Sequence, residues 1–546
     1  MVSFKNLISK GYFPAELVPP FSTKDLGDIS DDLENKVNER GLKKWSKCCP
    51  FSIPKFKKDR RILSIPNPLH QTILSKEIAD YYNELETFFI ESNISLSRPE
   101  EDLHGERAVV PKIRISDIKN SRILESTSSR YLLITDISRY YSTMYTHSIP
   151  WALHTKTIAK DKRGPSLLGN RIDTAVRNTQ EQQTQGIPIG PDTSLIISEL
   201  IGTRVDIELS DNNGEIRGFR YIDDYYLYFD DFTEAEFLLS KLTRLFKQYS
   251  LEFNPYKTKI KELPIPIEEN WVIELRGFHF TNNILKQKGD VINYFSKAFK
   301  FSKSFSDDSV LKYALARIKE ILIEKSCWEI YESLILKAMI GNPNVLPIAT
   351  EIFLTYKDKH YQLNNDRIKK TLQKLILYHA EFRHIYEISW ALWLLKSLGI
   401  NLDHEIATEI SNIDDPIIAL IALDMRDSNL ISNDLEFTIW MNHMVAPDLY
   451  TEYWLLAYEA YVKGWLKSKS GKDYISSDPF FSFLKDKNVE FYKPTNQVEL
   501  IHLYRPKEKL KAKIEAEYPI KDFEEYKDYD KIIKSIDKKL LFMLGY

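Results

Sequence analysis

The sequence predicts two regions of different class, an α+β region over about the first 290 residues and an all-α region after it. Three observations lead there. Short β-like runs occur in the first region: YLLIT (131–135), RYI and YYLYF (220–229) and WVIEL (271–275). Helical stretches such as EAEFLLSKLTRLFKQYS (234–250) lie between them. Thirteen of the 18 glycines fall before residue 300, and helical periodicity takes over beyond it.

In HIYEISWALWLLKSLG, Ile385, Ile388, Leu392 and Leu395 share one helix face, and Gly399 follows as a stop. SVLKYALARIKEIL (309–322) and DPIIALIALDMR (415–426) behave similarly. Asp415-Pro416 suits a helix start, with Asp as cap and Pro in the first turn. Successive helices with short polar joints suggest stacked helical hairpins, although no fixed sequence period is visible. The expected division is therefore 1–290 and 291–546.

Composition narrows the class. At 546 residues and 43% hydrophobic content the chain is globular. The N-terminal MVSFKNLISKGYF lacks a secretory apolar core. The apolar run IIALIAL (417–423) is far short of the roughly 20 residues a membrane span needs, so no membrane role is expected. Three cysteines, Cys48, Cys49 and Cys327, show neither a disulfide framework nor a zinc spacing. A cytoplasmic protein is expected. Residues 1–300 carry 42 Lys+Arg against 41 Asp+Glu, and residues 301–546 carry 33 against 37. Neither part is a basic duplex-binding body, so any nucleic-acid contact is local.

The chemistry centres on RYIDDYYLYFDD (220–231). Asp223 and Asp224 sit inside a strand-like aromatic run, where charge is costly unless something meets it. Asp136, at the end of the strand-like run in YLLITDISRYYSTMY, is the candidate third acid. Three converging carboxylates repel one another unless cations bind. Oxygen-only ligands suit Mg2+, with Mn2+ as a substitute. Two such ions about 3.5–4 Å apart serve in-line phosphoryl or nucleotidyl transfer. A lone DD pair is more often an exposed turn, so the reading rests on its surroundings.

Those surroundings resemble reverse transcriptases. Asp136-Ile137-Ser138-Arg139-Tyr140-Tyr141 resembles the first palm motif. Gln185-Gly186-Ile187-Pro188-Ile189-Gly190, with Ser194 after it, resembles the QGxPxG turn. Tyr221-Ile222-Asp223-Asp224 matches the YxDD box, and Leu251–Thr258 resembles the LxxN…KT motif. Upstream, Arg61-Ile62-Leu63-Ser64-Ile65-Pro66 resembles the fingers motif. Downstream, Arg276-Gly277-Phe278-His279-Phe280 resembles the primer-grip hairpin. The ordered set covers about residues 50–285 and implies a right-hand polymerase with fingers and palm.

A narrower resemblance is carried by GYFPAELVPPF (11–21), YTHSIPWALHTK (145–156) and residues 168–206. They are similar to the bacterial abortive-infection, AbiK-like reverse transcriptases. That resemblance implies a C-terminal HEAT-like helical domain and phage defence. It also implies template-independent DNA synthesis from dNTPs, primed by a protein tyrosine that stays attached to the single-stranded product. Assembly into a homo-oligomer is expected. His154-Thr155-Lys156 departs from the His-Gly-Lys of that group.

The resemblance assigns roles residue by residue. Asp136, Asp223 and Asp224 are the metal ligands, and Ile137 adds its backbone carbonyl. Asp224 is alternatively a structural turn acid. Tyr141 is the steric gate that favours dNTPs over rNTPs, or else a core aromatic. Arg61 grips the triphosphate, with Lys58 and Arg60 as neighbours able to share that work, or the run KFKKDRR is simply solvated. Gln185 and Gly186 shape the nucleotide floor or make an ordinary turn. Lys257 protonates the departing pyrophosphate or is a surface lysine. Among 31 tyrosines, Tyr12, Tyr450, Tyr453 and Tyr474 are candidate primers. Asp230 and Asp231 read as a solvated strand end. Two other functions stay open: a template-copying RNA-dependent DNA polymerase, and a non-catalytic helical scaffold.

Overall fold

A computed structural model describes residues 2–506 and 508, save 56–58, 104, 106, 212–215, 282 and 307–308. The strands are β1 (Cys49–Pro54), β2 (Arg60–Ile65), β3 (Pro99–Glu101), β4 (Val109–Pro111), β5 (Tyr131–Asp136), β6 (Gly218–Tyr221), β7 (Asp224–Phe229) and β8 (Lys259–Glu262). β1 pairs with β2 and β3 with β4, while the central sheet runs in the order β6-β7-β5-β8. Its pairings are all antiparallel. Register puts Asp136 opposite Asp224, and Asp224 opposite Tyr221. The two acid-bearing segments therefore meet at one end of the sheet.

Helices cover one face. Leu133, Tyr225 and Leu227 pack with Ile197, Leu200, Ile201 and Val205 of the helix Asp192–Ser210. Leu238, Leu242 and Phe246 of the helix Phe232–Gln248 join them. This alternation, one side chain of two facing the helices, is what a half-buried sheet requires. Asp231 caps the second helix, accepting from the Thr233 and Glu234 backbone N–H groups at 2.7 and 3.3 Å. Asp230 pairs with Arg217 at 3.0 Å. The second DD pair is thus a cap and a surface ion pair rather than a plain strand end.

Contacts divide the chain into two compact units. The first comprises Met1–Ile53, Arg61–Ile267 and Ala407–Asn496; the second comprises Pro54–Arg60, Glu268–Ile406 and the described residues from Gln497 on. This differs from the expected break at 290/291. Residues 407–496 return to the first unit because they complete its interior. Trp454 Nε1 donates to the Ile65 carbonyl at 3.2 Å, and Asn67 Nδ2 donates to the Leu449 carbonyl at 2.7 Å. Phe21 bridges Tyr492 as a short antiparallel pair.

The helices read from periodicity are present: Val310–Ile318, Ile385–Leu398 and Pro416–Asp427. Gly399 ends the second in the left-handed conformation, φ 75°. Asp415 caps the third through the Ile417 and Ile418 N–H groups. WVIEL, expected as a strand, is the helix Asn270–Arg276 instead. Trp271 and Leu275, one turn apart, are its buried residues, so helical spacing outweighs β-propensity. Arg276–Phe280 is a helix end followed by irregular chain rather than a hairpin.

Candidate active site

The site is built where β5 leaves the sheet. Asp136 is buried, and Lys257 Nζ donates to its Oδ2. Its Oδ1 is buried and without a hydrogen-bond partner among the described residues. The backbone around it is held closely. Asn254 N–H donates to the Asp136 carbonyl at 2.9 Å, Ser138 N–H to the Glu252 carbonyl at 2.7 Å, and Ile137 N–H to the Asp223 carbonyl at 3.0 Å. The LxxN…KT segment therefore wraps the first acid while the YxDD turn closes on its other side.

Electrostatics follow from this crowding. Burial raises the Asp224 carboxyl to about 6, and the neighbouring charges of Asp223 and Asp136 add to it. Asp223 is raised by burial and by Asp136, against the pull of Lys257 and Arg61. Burial works against the Lys257 ammonium, yet its bond to Asp136 and the three carboxylates hold its pKa above the ordinary lysine value. Lys257 is thus placed as the counter-ion of Asp136. Carboxylate oxygens, one of them buried and unpartnered, are the donor chemistry a hard divalent cation takes, but among the described residues the group whose ligand atoms all lie within 4.8 Å of one another is His379, His384 and Glu387 rather than these three acids.

The other predicted residues line up around this cluster. After Asp136 the chain turns at Arg139, φ 46°, into the helical turn Tyr140–Thr143. The two tyrosines are therefore on a helical turn. Tyr140 is buried and its hydroxyl donates to the Ser198 carbonyl at 2.7 Å. Tyr141 is half-buried, and Ser198 Oγ donates to its hydroxyl at 3.3 Å. The QGxPxG turn docks on this helical turn. Gln185 Nε2 donates to the Thr143 carbonyl at 2.7 Å, Gly186 N–H to Met144 at 2.7 Å, and Ile187 N–H to Tyr141 at 2.9 Å. Gly186 has φ 80°, and a Cβ there would stand 3.0 Å from the Ser142 carbonyl oxygen. Glycine is required by both conformation and space.

Arg61 is exposed on β2, and its charge acts on Asp223 and Tyr141. Arg60 does not share its setting. It forks onto Glu387 at 2.7 and 2.8 Å. Lys58 lies outside the described residues. Of the tyrosines named as primers, Tyr12 is buried with its hydroxyl on the Pro66 carbonyl, and Tyr474 is buried with its hydroxyl on the Ala457 carbonyl. Tyr450 is buried against Asp478, and Tyr453 stacks on His443 at 3.5 Å. None of the four presents a free hydroxyl.

Sequence reading missed the residues under the turn. Ile222 stands at φ 56°, a left-handed conformation that a β-branched residue rarely adopts. Its N–H donates to Ser97 Oγ at 2.8 Å, and its carbonyl accepts from Arg220 Nη1 at 3.0 Å. Arg220 is fully buried and paired with Glu199 and Asp206, each at 2.8 Å. Ser97 Oγ donates to Glu199 at 3.0 Å. Burial opposes the Arg220 charge, but the two acids more than offset it. Glu199 is held below the usual carboxylate range by Arg220, whereas burial keeps Asp206 above it. The signal was available. Glu199 and Asp206 are seven residues apart on one face of the helix Asp192–Ser210, and Arg220 opens the RYIDD stretch.

Comparison with known proteins agrees with this geometry. The family described as "Reverse transcriptase (RNA-dependent DNA polymerase)" matches residues 53–287. No curated protein matches the chain significantly. Among solved structures, the chain is similar to the telomerase of Candida albicans in complex with a TWJ fragment of telomeric RNA. Identity is 12% and the TM-score 0.28, over 71% of this chain and 66% of that one. It is also similar to the apo telomerase of Candida tropicalis, at 11% identity and a TM-score of 0.29, over 69% and 70%. The chain thus spans just under two thirds of the first of these. Among the described residues no helix is long and apolar enough to cross a membrane. The ordered motifs, the meeting of β5 with the β6–β7 turn, and the family match coincide: residues 53–287 are a reverse-transcriptase domain.

Proposed function

We propose that the chain is a DNA polymerase of the reverse-transcriptase type that joins dNTPs without a template, starting from a tyrosine of the protein, in abortive-infection defence against phage. One observation carries the catalytic part: Asp136 lies opposite Asp224 in the sheet, the charges of Asp136, Asp223 and Asp224 act on one another, and a buried oxygen of Asp136 lacks a partner among the described residues. Asp136, the Ile137 carbonyl, Asp223 and Asp224 would hold Mg2+, which when bound supplies the positive charge that a triphosphate and its leaving pyrophosphate need. Lys257, bonded to Asp136, holds the charge of that acid in check meanwhile, and it would offer a proton to the leaving group. Arg61 meets the triphosphate from β2, Gln185 and Gly186 form the floor, and Tyr141 stands as the gate against a 2′-hydroxyl.

Support for absent template, tyrosine priming and defence comes from the AbiK-like stretches at 11–21, 145–156 and 168–206. The helices beyond residue 290 would hold the single-stranded product by local aromatic contacts, consistent with their acid-leaning charge. For the primer, Tyr256 is 88% exposed and adjoins Lys257, which makes it the best placed of the described tyrosines. Tyr518, Tyr526, Tyr529 and Tyr546 lie outside the described residues.

The test is direct. Full-length protein is incubated with Mg2+ and labelled dNTPs, with no template or primer, and run on a denaturing gel before and after protease. Label that migrates with the protein until digestion is expected, and D223N abolishes it. Synthesis seen only when an RNA template and primer are supplied would overturn the template-independent reading. Phage resistance that survives D223N would favour the scaffold.

A further inference from the structure

We propose that Arg220 and Ser97 are positioning residues for the acid-bearing turn: together they fix the Ile222 peptide groups and thereby the direction in which Asp223 and Asp224 face Asp136. The inference rests on the reading of those three acids as ligands of a divalent cation.

Ile222 is the strained point of the turn. Its φ of 56° is strained for a branched residue, and such a conformation persists only where its surroundings over-determine it. Here they do. Both backbone polar groups of this one residue are taken by side chains, the N–H by Ser97 and the carbonyl by Arg220. Those side chains are themselves immobile. Ser97 Oγ is spent on Glu199, and the Arg220 fork is spent on Glu199 and Asp206. The Arg220 backbone is also fixed, with its N–H on the Ile94 carbonyl and its carbonyl accepting from Leu96 N–H. Gly202 leaves room for the guanidinium, since a Cβ there would stand 2.6 Å from Arg220 Cζ.

A buried ionic network is an expensive way to fill a core, and apolar side chains of similar volume do that task at least as well. What apolar side chains cannot do is hold two peptide groups of a strained turn. Lysine cannot either, because it offers a point charge in place of a planar fork. The residues that orient metal ligands from behind typically change metal affinity about 10- to 100-fold when removed.

The experiment uses the full-length chain and Mn2+ alone, with the free ion followed by EPR and thermal unfolding recorded in parallel. Wild type binds and D223N weakens binding. S97A and R220K, still folded, bind Mn2+ about 10- to 100-fold more weakly, and S97T, which keeps the hydroxyl, recovers most of that loss. A folded S97A that binds within about twofold of wild type overturns the proposal. If R220K does not fold, S97A decides alone, because it removes one hydroxyl and little volume. Should wild type and D223N bind Mn2+ alike, the cation site and this inference fall together. An unchanged S97A beside a weakened D223N sinks the inference only.

Discussion

Asp136, Asp223 and Asp224 were singled out not one by one but by the ordered motifs around them, since a lone acid pair is more often an exposed turn. Arg220 was not. In a linear reading it is a basic residue before a motif, and its partners sit at 97, 199 and 206. Nothing local announces which buried acid a buried arginine will find. His70 is a similar case with a measurable consequence. It is buried; its Nε2–H donates to the Lys43 carbonyl at 3.1 Å and its Nδ1 accepts from Ser46 Oγ at 2.8 Å. Both contacts suit the neutral ring, and burial lowers its pKa to about 4. The folded ring stays neutral while the unfolded one gains a proton below its ordinary 6.5. Stability from this group is complete above pH 6.5 and is lost as pH falls towards 4, by up to about 3 kcal/mol. Urea unfolding of wild type and H70Q from pH 7.5 to 4.5 measures it. The difference between the two shrinks with acidification; a constant difference would refute the assignment.

Elements were legible where one pattern dominated. Strands β5 and β7 are short runs of aromatic and branched residues, and the helix Ile385–Leu398 keeps an apolar stripe and a glycine stop. WVIEL failed because its β-favouring residues also fit helical spacing, and burial of Trp271 with Leu275 decided. The joint between the helices Ser148–His154 and Lys156–Asp161 shows what a departure from a motif costs. Thr155, where the resemblance in the sequence leads to an expectation of glycine, adopts φ 66°, ψ 152°. That region is essentially reserved for glycine, and occupying it costs of order 1–3 kcal/mol. The Thr155 side chain is exposed and leaves little packing to lose. Glycine would release the strain but give back about 0.5–1 kcal/mol of chain entropy. T155G is therefore expected to stabilise the fold by about 1 kcal/mol in urea unfolding. T155A, which keeps the Cβ clash, gains nothing.

At the scale of the molecule, the change of grain near residue 300 was legible but the destination of the last helices was not. WLLAYEAYV (454–462) is apolar on nearly every side, which announces burial without naming what it is buried against. The answer lies in contacts separated by nearly 400 positions, which leave no local pattern. Trp454 caps the Ile65 carbonyl, Leu449 receives Asn67, and Lys47 N–H donates to Tyr450 at 2.9 Å. Phe491 and Tyr492 fix the segment Pro20–Ser22. A polymerase domain cut from the chain at residue 290 or 406 would thus lose part of its own interior. Trp454, Tyr458, Phe491 and Tyr492 are all fully buried, and deleting a buried aromatic costs about 3–5 kcal/mol each. The sum, about 12–20 kcal/mol, is as large as the whole 5–15 kcal/mol by which ordinary domains are stable. A chain ending at residue 406 is therefore expected to show no cooperative unfolding transition and rapid proteolysis throughout residues 1–267. W454A in the full-length chain should keep the transition but lower its midpoint. A 1–406 fragment that melts cooperatively and resists protease would show that the first unit is complete without its returning helices.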